Sequence, residues 1–208
     1  MYAVARSDIH PGHRLVIAAP KGQRHIPLLE STMPVKTIPD GYNTVTPWII
    51  SKDSAKLIEF SEQAFNAKEQ PGSRIKNTDG SIGHVEVKLG DSIIMLFDSH
   101  ESWSATPAFL RLYVADVDSI YEQALSCGAF EVTKPTDLFW GDRVGRVRDP
   151  YGNIWWLQTH VIDVPAAQME SRMSDPAMTR AMQYVQQSLV DKLERRAPRR
   201  DSPQKQAR

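Results

Sequence analysis

A single cysteine, Cys127, stands in 208 residues, so the chain cannot close a disulfide within itself. It precedes Gly128, where a helix is expected to end, and reads as a small reduced residue of that helix terminus. An excess of charge of either sign is also missing. Lys and Arg total 25 and Asp and Glu total 25, so no global field draws nucleic acid or an anionic membrane, and neither is expected as a partner. Long apolar runs are absent from the first 32 residues, whose one such run is Leu15–Ala19. That is too short to span a membrane and thin for the roughly 7 to 15 apolar residues of a secretory signal, so a cytoplasmic protein is expected. No Gly-rich phosphate loop and no Ser-His-Asp or Cys-His arrangement is apparent.

What is present is a soluble, globular composition, 41% hydrophobic and 24% charged, enough for one large domain or two small ones. The most informative stretch runs from Phe139 to His160, FWGDRVGRVRDPYGNIWWLQTH. Asp149-Pro150-Tyr151-Gly152 has the residue order that a type I β-turn favours. A strand over 142–148 alternates charged and small residues, and a strand over 154–158 is almost wholly aromatic and aliphatic, which predicts a hairpin with one strand buried.

The grammar on either side repeats. A β-rich segment over 45–51 leads to Asp53, which opens a helix with Leu57, Ile58, Phe60, Ala64 and Phe65 on its apolar face; strands over 68–76, 83–89 and 92–98 follow. A strand over 108–115 then leads to Asp116, a second helix and three more strands. Both units read βαβββ, and placing Asp53 on Asp116 sets an internal offset of 63. In His84-Val85-Glu86-Val87-Lys88-Leu89 the period of two turns the apolar residues toward the helix and leaves His84 and Glu86 together on the opposite face. After His160 short helices are expected over 166–173 and from Pro176 onward, the latter with an apolar stripe of Met178, Met182, Val185, Leu189 and Leu193 that packs on the sheet or on a second subunit. The residues from Ala197 form a polar, basic, solvated tail.

The hairpin, with Thr44–Trp48, His84–Asp91 and Leu112–Asp118, resembles the glyoxalase/bleomycin-resistance/dioxygenase superfamily, the vicinal oxygen chelate proteins, and most closely its PhnB-like branch. The resemblance spans about residues 40 to 165. It implies an α+β fold in which two βαβββ repeats make a pair of curved half-barrels, eight strands around a cavity. The expected organisation is a flexible extension over 1–38, the barrel domain over 39–163, a helical segment over 164–196 and a disordered tail over 197–208. A homodimer is expected.

Enzymes of this superfamily generally hold a divalent metal with four side chains, two from each repeat. The corresponding positions here are Thr46, Met95, Phe109 and Trp156, none of which offers a carboxylate or imidazole. No metal and no other cofactor is therefore expected. The residues expected to line the cavity are Trp48, Phe109, Arg111, Tyr113, Trp140, Arg143 and Trp156, with Glu86 and His84 as a candidate acid–base pair. Such a lining suits a small hydrophobic or aromatic molecule with one carbonyl or anionic group. Arg111 is either its anchor or the neutraliser of Glu86, and Asp142-Arg143 either adds a second anchor or is a local ion pair. Two classes stay open: a binder that sequesters a small compound, as drug-resistance members of the family do, and an enzyme, either metal-free with Glu86 and His84 or metal-dependent like the lyases, isomerases and dioxygenases of the superfamily.

Overall fold

A computed structural model describes residues 35–194; most of the expected N-terminal extension, and the basic tail, lie outside the described residues. In chain order the elements are β1 (Trp48–Ser51), α1 (Ser54–Phe65), β2 (Lys68–Glu69), β3 (Ile75–Lys76), β4 (Ile82–Leu89) and β5 (Ser92–Asp98). The second half has β6 (Phe109–Tyr113), α2 (Val117–Ser126), β7 (Phe130–Asp137), β8 (Asp142–Arg148) and β9 (Ile154–His160). Helices α3 (Ala166–Ser174) and α4 (Pro176–Glu194) follow. The halves make one sheet each, ordered β1-β5-β4-β2 with β3 also on β4, and β6-β9-β8-β7. Both begin with a strand parallel to the last strand of the same half. The expected α+β fold of two repeats is therefore present. The segment 68–76 is two short strands rather than one because Pro71-Gly72 turns the chain out of the ladder, Gly72 with φ +77° and Ser73 N donating to Gln70 O.

Local sequence sets both helix starts. Asp53 accepts from Lys56 N at 3.0 Å and Asp116 from Asp118 N at 3.0 Å, caps worth about 1 kcal/mol each. Helix α1 ends at Asn66 in the left-handed region, with φ 56°. The faces that these helices cover form one core drawn from both halves: Leu57, Phe65, Val85, Val87 and Leu96 meet Tyr121, Trp155 and Leu157. The Phe65 and Trp155 rings are 4.8 Å apart. The buried hairpin strand is fixed at its root by Asp149, whose carboxylate accepts from Tyr151 N, Asn153 N, Asn153 Nδ2 and Trp155 Nε1.

Each sheet has a second face turned away from this shared core. On the first sheet it is open. On the second, α4 covers only the β7 and β8 side and leaves the β6 side open: Val185 packs with Leu138 and Val144, Thr133 Oγ1 and Ser188 Oγ are 2.7 Å apart, and Lys134 N donates to Tyr184 Oη at 3.0 Å, whereas Phe109 and Tyr113 stay exposed. The stripe expected on α4 thus packs within the chain through Met182 and Val185, while Leu193 stays exposed.

Candidate functional site

Strand pairing puts the first open face together from β1, β5 and β4. Trp48 pairs with Met95, which pairs with Glu86; Ile50 pairs with Phe97. Their neighbours Ile49, Val85 and Leu96 point the other way into the core, as a period of two requires. The rings form a continuous wall. Trp48 is 5.5 Å from His84 and 5.6 Å from Phe97, and Trp103, on the loop after β5, is 5.8 Å from Phe97. His84 Nε2 is 3.3 Å from Glu86 Oε1, and Tyr42 donates its hydroxyl to Glu86 Oε2 at 2.5 Å. That bond, helped by burial, raises the Tyr42 hydroxyl above its ordinary range. The expected pair Glu86 and His84 is thus brought together, with Trp48 beside it.

The second open face carries Phe109, Arg111 and Tyr113 on β6, paired with Ile154, Trp156 and Gln158 on β9. Arg111 lies 4.6 Å from the centre of the Trp156 ring, and Arg146 of β8 lies 3.9 Å from it. Arg146 is 3% exposed and donates through Nη1 to Val185 O at 2.7 Å and Thr133 Oγ1 at 3.2 Å. Burial, with the Arg111 charge adding to it, pushes its guanidinium down to about 10, still charged at neutral pH. Glu86 and Arg111 stand on different sheets, and among the described residues no ion pair joins them. A cleft of about 540 Å³ runs along β6 between the halves, lined in part by Val45, Pro47, Phe65, Arg111 and Tyr113. Its size is within the range of ligand pockets.

Two expected lining residues are placed elsewhere. Arg143 points to the helix side of its sheet, where Nε and Nη2 bond Asp118 at 2.7 and 2.8 Å and Nη1 bonds Asp137 at 3.1 Å. Its neighbour in sequence, Asp142, faces the other way, so the two form no local ion pair. Trp140 packs in the small core under α4 and donates to Asp142 Oδ2 at 2.8 Å. Burial works to raise the Asp142 carboxyl, but hydrogen bonds from His160, Trp140 and Gln158 outweigh it and hold it below its usual range.

Sequence reasoning missed Tyr42, Trp103 and Arg146. The first two are on irregular segments without a period to orient them. Arg146 had a signal, since it shares the alternation of Asp142 and Val144, but its burial depends on α4.

The superfamily's divalent metal does not fit the donors present. The four corresponding positions hold Thr46, Met95, Phe109 and Trp156, and the strand partners of Met95 and Trp156 are Trp48 and Arg111, so neither the positions nor these neighbours offer a carboxylate or imidazole. His84 and Glu86 supply two donors, and among the described residues no cluster of three His, Cys, Asp or Glu could hold an ion.

A family model described as the glyoxalase/bleomycin resistance protein/dioxygenase superfamily matches residues 41–157, and the chain belongs to that superfamily. Uncharacterised proteins of Mycobacterium bovis and Mycobacterium tuberculosis are each 33% identical in alignments 141 positions long that cover 62% of this chain and 91% and 82% of theirs. Among solved structures, TioX from Micromonospora sp. ML1 has a TM-score of 0.49 at 22% identity, over 57% of this chain and 99% of its own. The PhnB protein from Bacillus cereus has a TM-score of 0.43 at 17% identity, over 56% and 99%. No helix among the described residues is long and apolar enough to cross a membrane.

Proposed function

We propose that this chain binds a small hydrophobic or aromatic compound bearing a carbonyl or anionic group, without a resident metal, in a cavity that a second copy completes. The observation that carries the reading is the exposure of large aromatic side chains on both open faces: Trp48 is 50% exposed, Phe109 50% and Tyr113 66%. Apolar area of this size left in water is unfavourable by about 25 cal/mol per Å², and covering it drives association of both subunit and ligand. Among the described residues the outer edge of β6 is unpaired and that of β1 carries only the bridge from Thr106 N to Ile50 O at 2.9 Å, so a second copy has backbone to pair with as well as rings to cover. Trp48, Phe97 and Trp103 then stack on the ligand while Arg111 takes its polar group.

The test is a native mass spectrum of protein purified without added ligand, beside Trp48→Ala. A dimer carrying a small organic molecule that the variant loses supports the reading; a monomer whose open faces bind no aromatic compound defeats it. The pairing of His84 with Glu86 favours a second reading, a metal-free acid–base enzyme. There Glu86→Gln lowers turnover by roughly 10² while ligand affinity changes only a few-fold.

A further inference from the structure

We infer that the open face of the second sheet is an anion site, in which Arg111 receives the carboxylate of a small organic acid and Arg146 lends its buried charge from the far flank of Trp156. This deepens the binding reading above and rests on it.

The register sets the row. Arg111 on β6, Trp156 on β9 and Arg146 on β8 are direct neighbours across three strands, so both guanidinium groups and the indole share one face. Two cations around one ring repel, and Arg146, 3% exposed, has lost nearly all its water. Buried charges in proteins are normally paired with an opposite charge. Here the acceptors of Arg146 are both neutral, a hydroxyl and a peptide carbonyl, and its Nε has no partner. Arg111 makes no ion pair among the described residues either; its contact is with the Trp156 ring.

Four carboxylates on the strands and helix around this row are committed elsewhere. Glu131 accepts from Tyr121 on the helix side, Asp137 and Asp118 hold Arg143, and Asp142 is occupied by Trp140, Gln158 and His160. Among the described residues no ion pair joins a carboxylate to Arg111 or to Arg146.

One further buried donor between the arginines lacks a partner, the Trp156 indole N–H. Leaving such groups unpaired costs about 1 to 3 kcal/mol each, so the row is built for something that the chain alone does not provide. A carboxylate matches the planar fork of an arginine. Arg111 is exposed and borders the cleft along β6, so it is the group in reach. Arg146 acts as a positioning residue: it supports the Trp156 ring and strengthens the local positive potential.

The experiment is isothermal titration of the full chain, at fixed ionic strength, with benzoate and with benzamide, its uncharged planar twin. The net charge is zero, so a bulk field does not favour the anion. Benzoate is expected to bind at least about tenfold more tightly than benzamide, with the ratio falling to about one in Arg111→Gln. In Arg146→Gln the ratio shrinks while benzamide affinity is kept. If that variant does not fold, Arg111→Gln decides, because its side chain is exposed. Equal binding of the two compounds by the native protein, or a preference that survives Arg111→Gln, overturns the anion site and leaves the cavity reading standing. Binding of neither compound overturns both.

Discussion

Tyr42 donates its hydroxyl to Glu86 Oε2 at 2.5 Å, so a residue ahead of β1 reaches over the open face of the first sheet and fixes its one carboxylate. The same Glu86 faces His84 through its other oxygen, at 3.3 Å. A hydrogen bond to a charged group is worth about 1.5 to 3 kcal/mol when one partner is removed. Tyr42→Phe keeps the ring and loses this bond, and a urea melt is expected to show a loss toward the lower end of that range because the site is only part-buried. A variant as stable as the native protein would mean that Tyr42 does not hold Glu86 in solution.

Arg143 is a clamp between β8 and the start of α2. Its partner Asp118 lies in the first turn of that helix, and the bond holds the Asp118 carboxyl below its usual range. Both side chains are partly exposed, at 31% and 52%, so screening limits the gain to about 1 kcal/mol or less. Arg143→Met is expected to lower the melting temperature slightly, more at low salt than at high, and to leave ligand affinity unchanged. A loss of affinity without a loss of stability would return Arg143 to the cavity.

How far the sequence speaks depends on the reach of each signal. The caps Asp53 and Asp116, the turn at Asp149 and the shared face of His84 and Glu86 are set by residues within a few positions of one another, and all four are legible. The direction of Arg143 was also within reach, because alternation along β8 puts it opposite Asp142 and Arg146; the motif Trp140-Gly141-Asp142-Arg143 drew attention to its chemistry rather than to its side of the strand. The burial of Arg146 was not legible, because arginine is ordinarily exposed and what covers it is a helix some 40 residues later. Gly141 is a similar case: a Cβ there would sit 2.1 Å from Ile162 O, a contact across the hairpin that no local pattern announces.

Asp149 is 1% exposed, and its carboxylate is bound by two backbone N–H groups, one amide and one indole. Burial raises this carboxyl and the four hydrogen bonds oppose the rise. Removing it leaves buried donors on Asn153 and Trp155 without acceptors, each costing about 1 to 3 kcal/mol. Asp149→Ala is expected to cost roughly 3 kcal/mol or more in a denaturant melt, with Asn153→Ala less damaging because the carboxylate stays. The reverse order would show that Asn153, which also accepts from Ala108 N at 2.8 Å, is the main fastener of the hairpin.

His160 lies between two carboxylates, with Nδ1 2.6 Å from Asp142 Oδ1 and Nε2 3.0 Å from Asp163 Oδ1. Ionised carboxylates only accept, so both ring nitrogens must donate, and the imidazolium is the form that satisfies both bonds. Asp163 first and Asp142 second raise the His160 imidazole above its ordinary 6.5. A cation with a raised folded value binds its proton more tightly folded than unfolded. Its contribution is therefore fully present below about pH 6.5 and is lost as the pH rises through the folded value, which lies higher. The melting temperature of the native protein should exceed that of His160→Gln most at pH 5.5 to 6, and the gap should narrow toward pH 9. Asp163→Asn should move the His160 titration down, as followed by proton NMR of the ring, and reduce the slope of the gap with pH. A gap that is flat from pH 5.5 to 9 would mean that His160 is neutral throughout and that Asp142 is held by Trp140 and Gln158 alone.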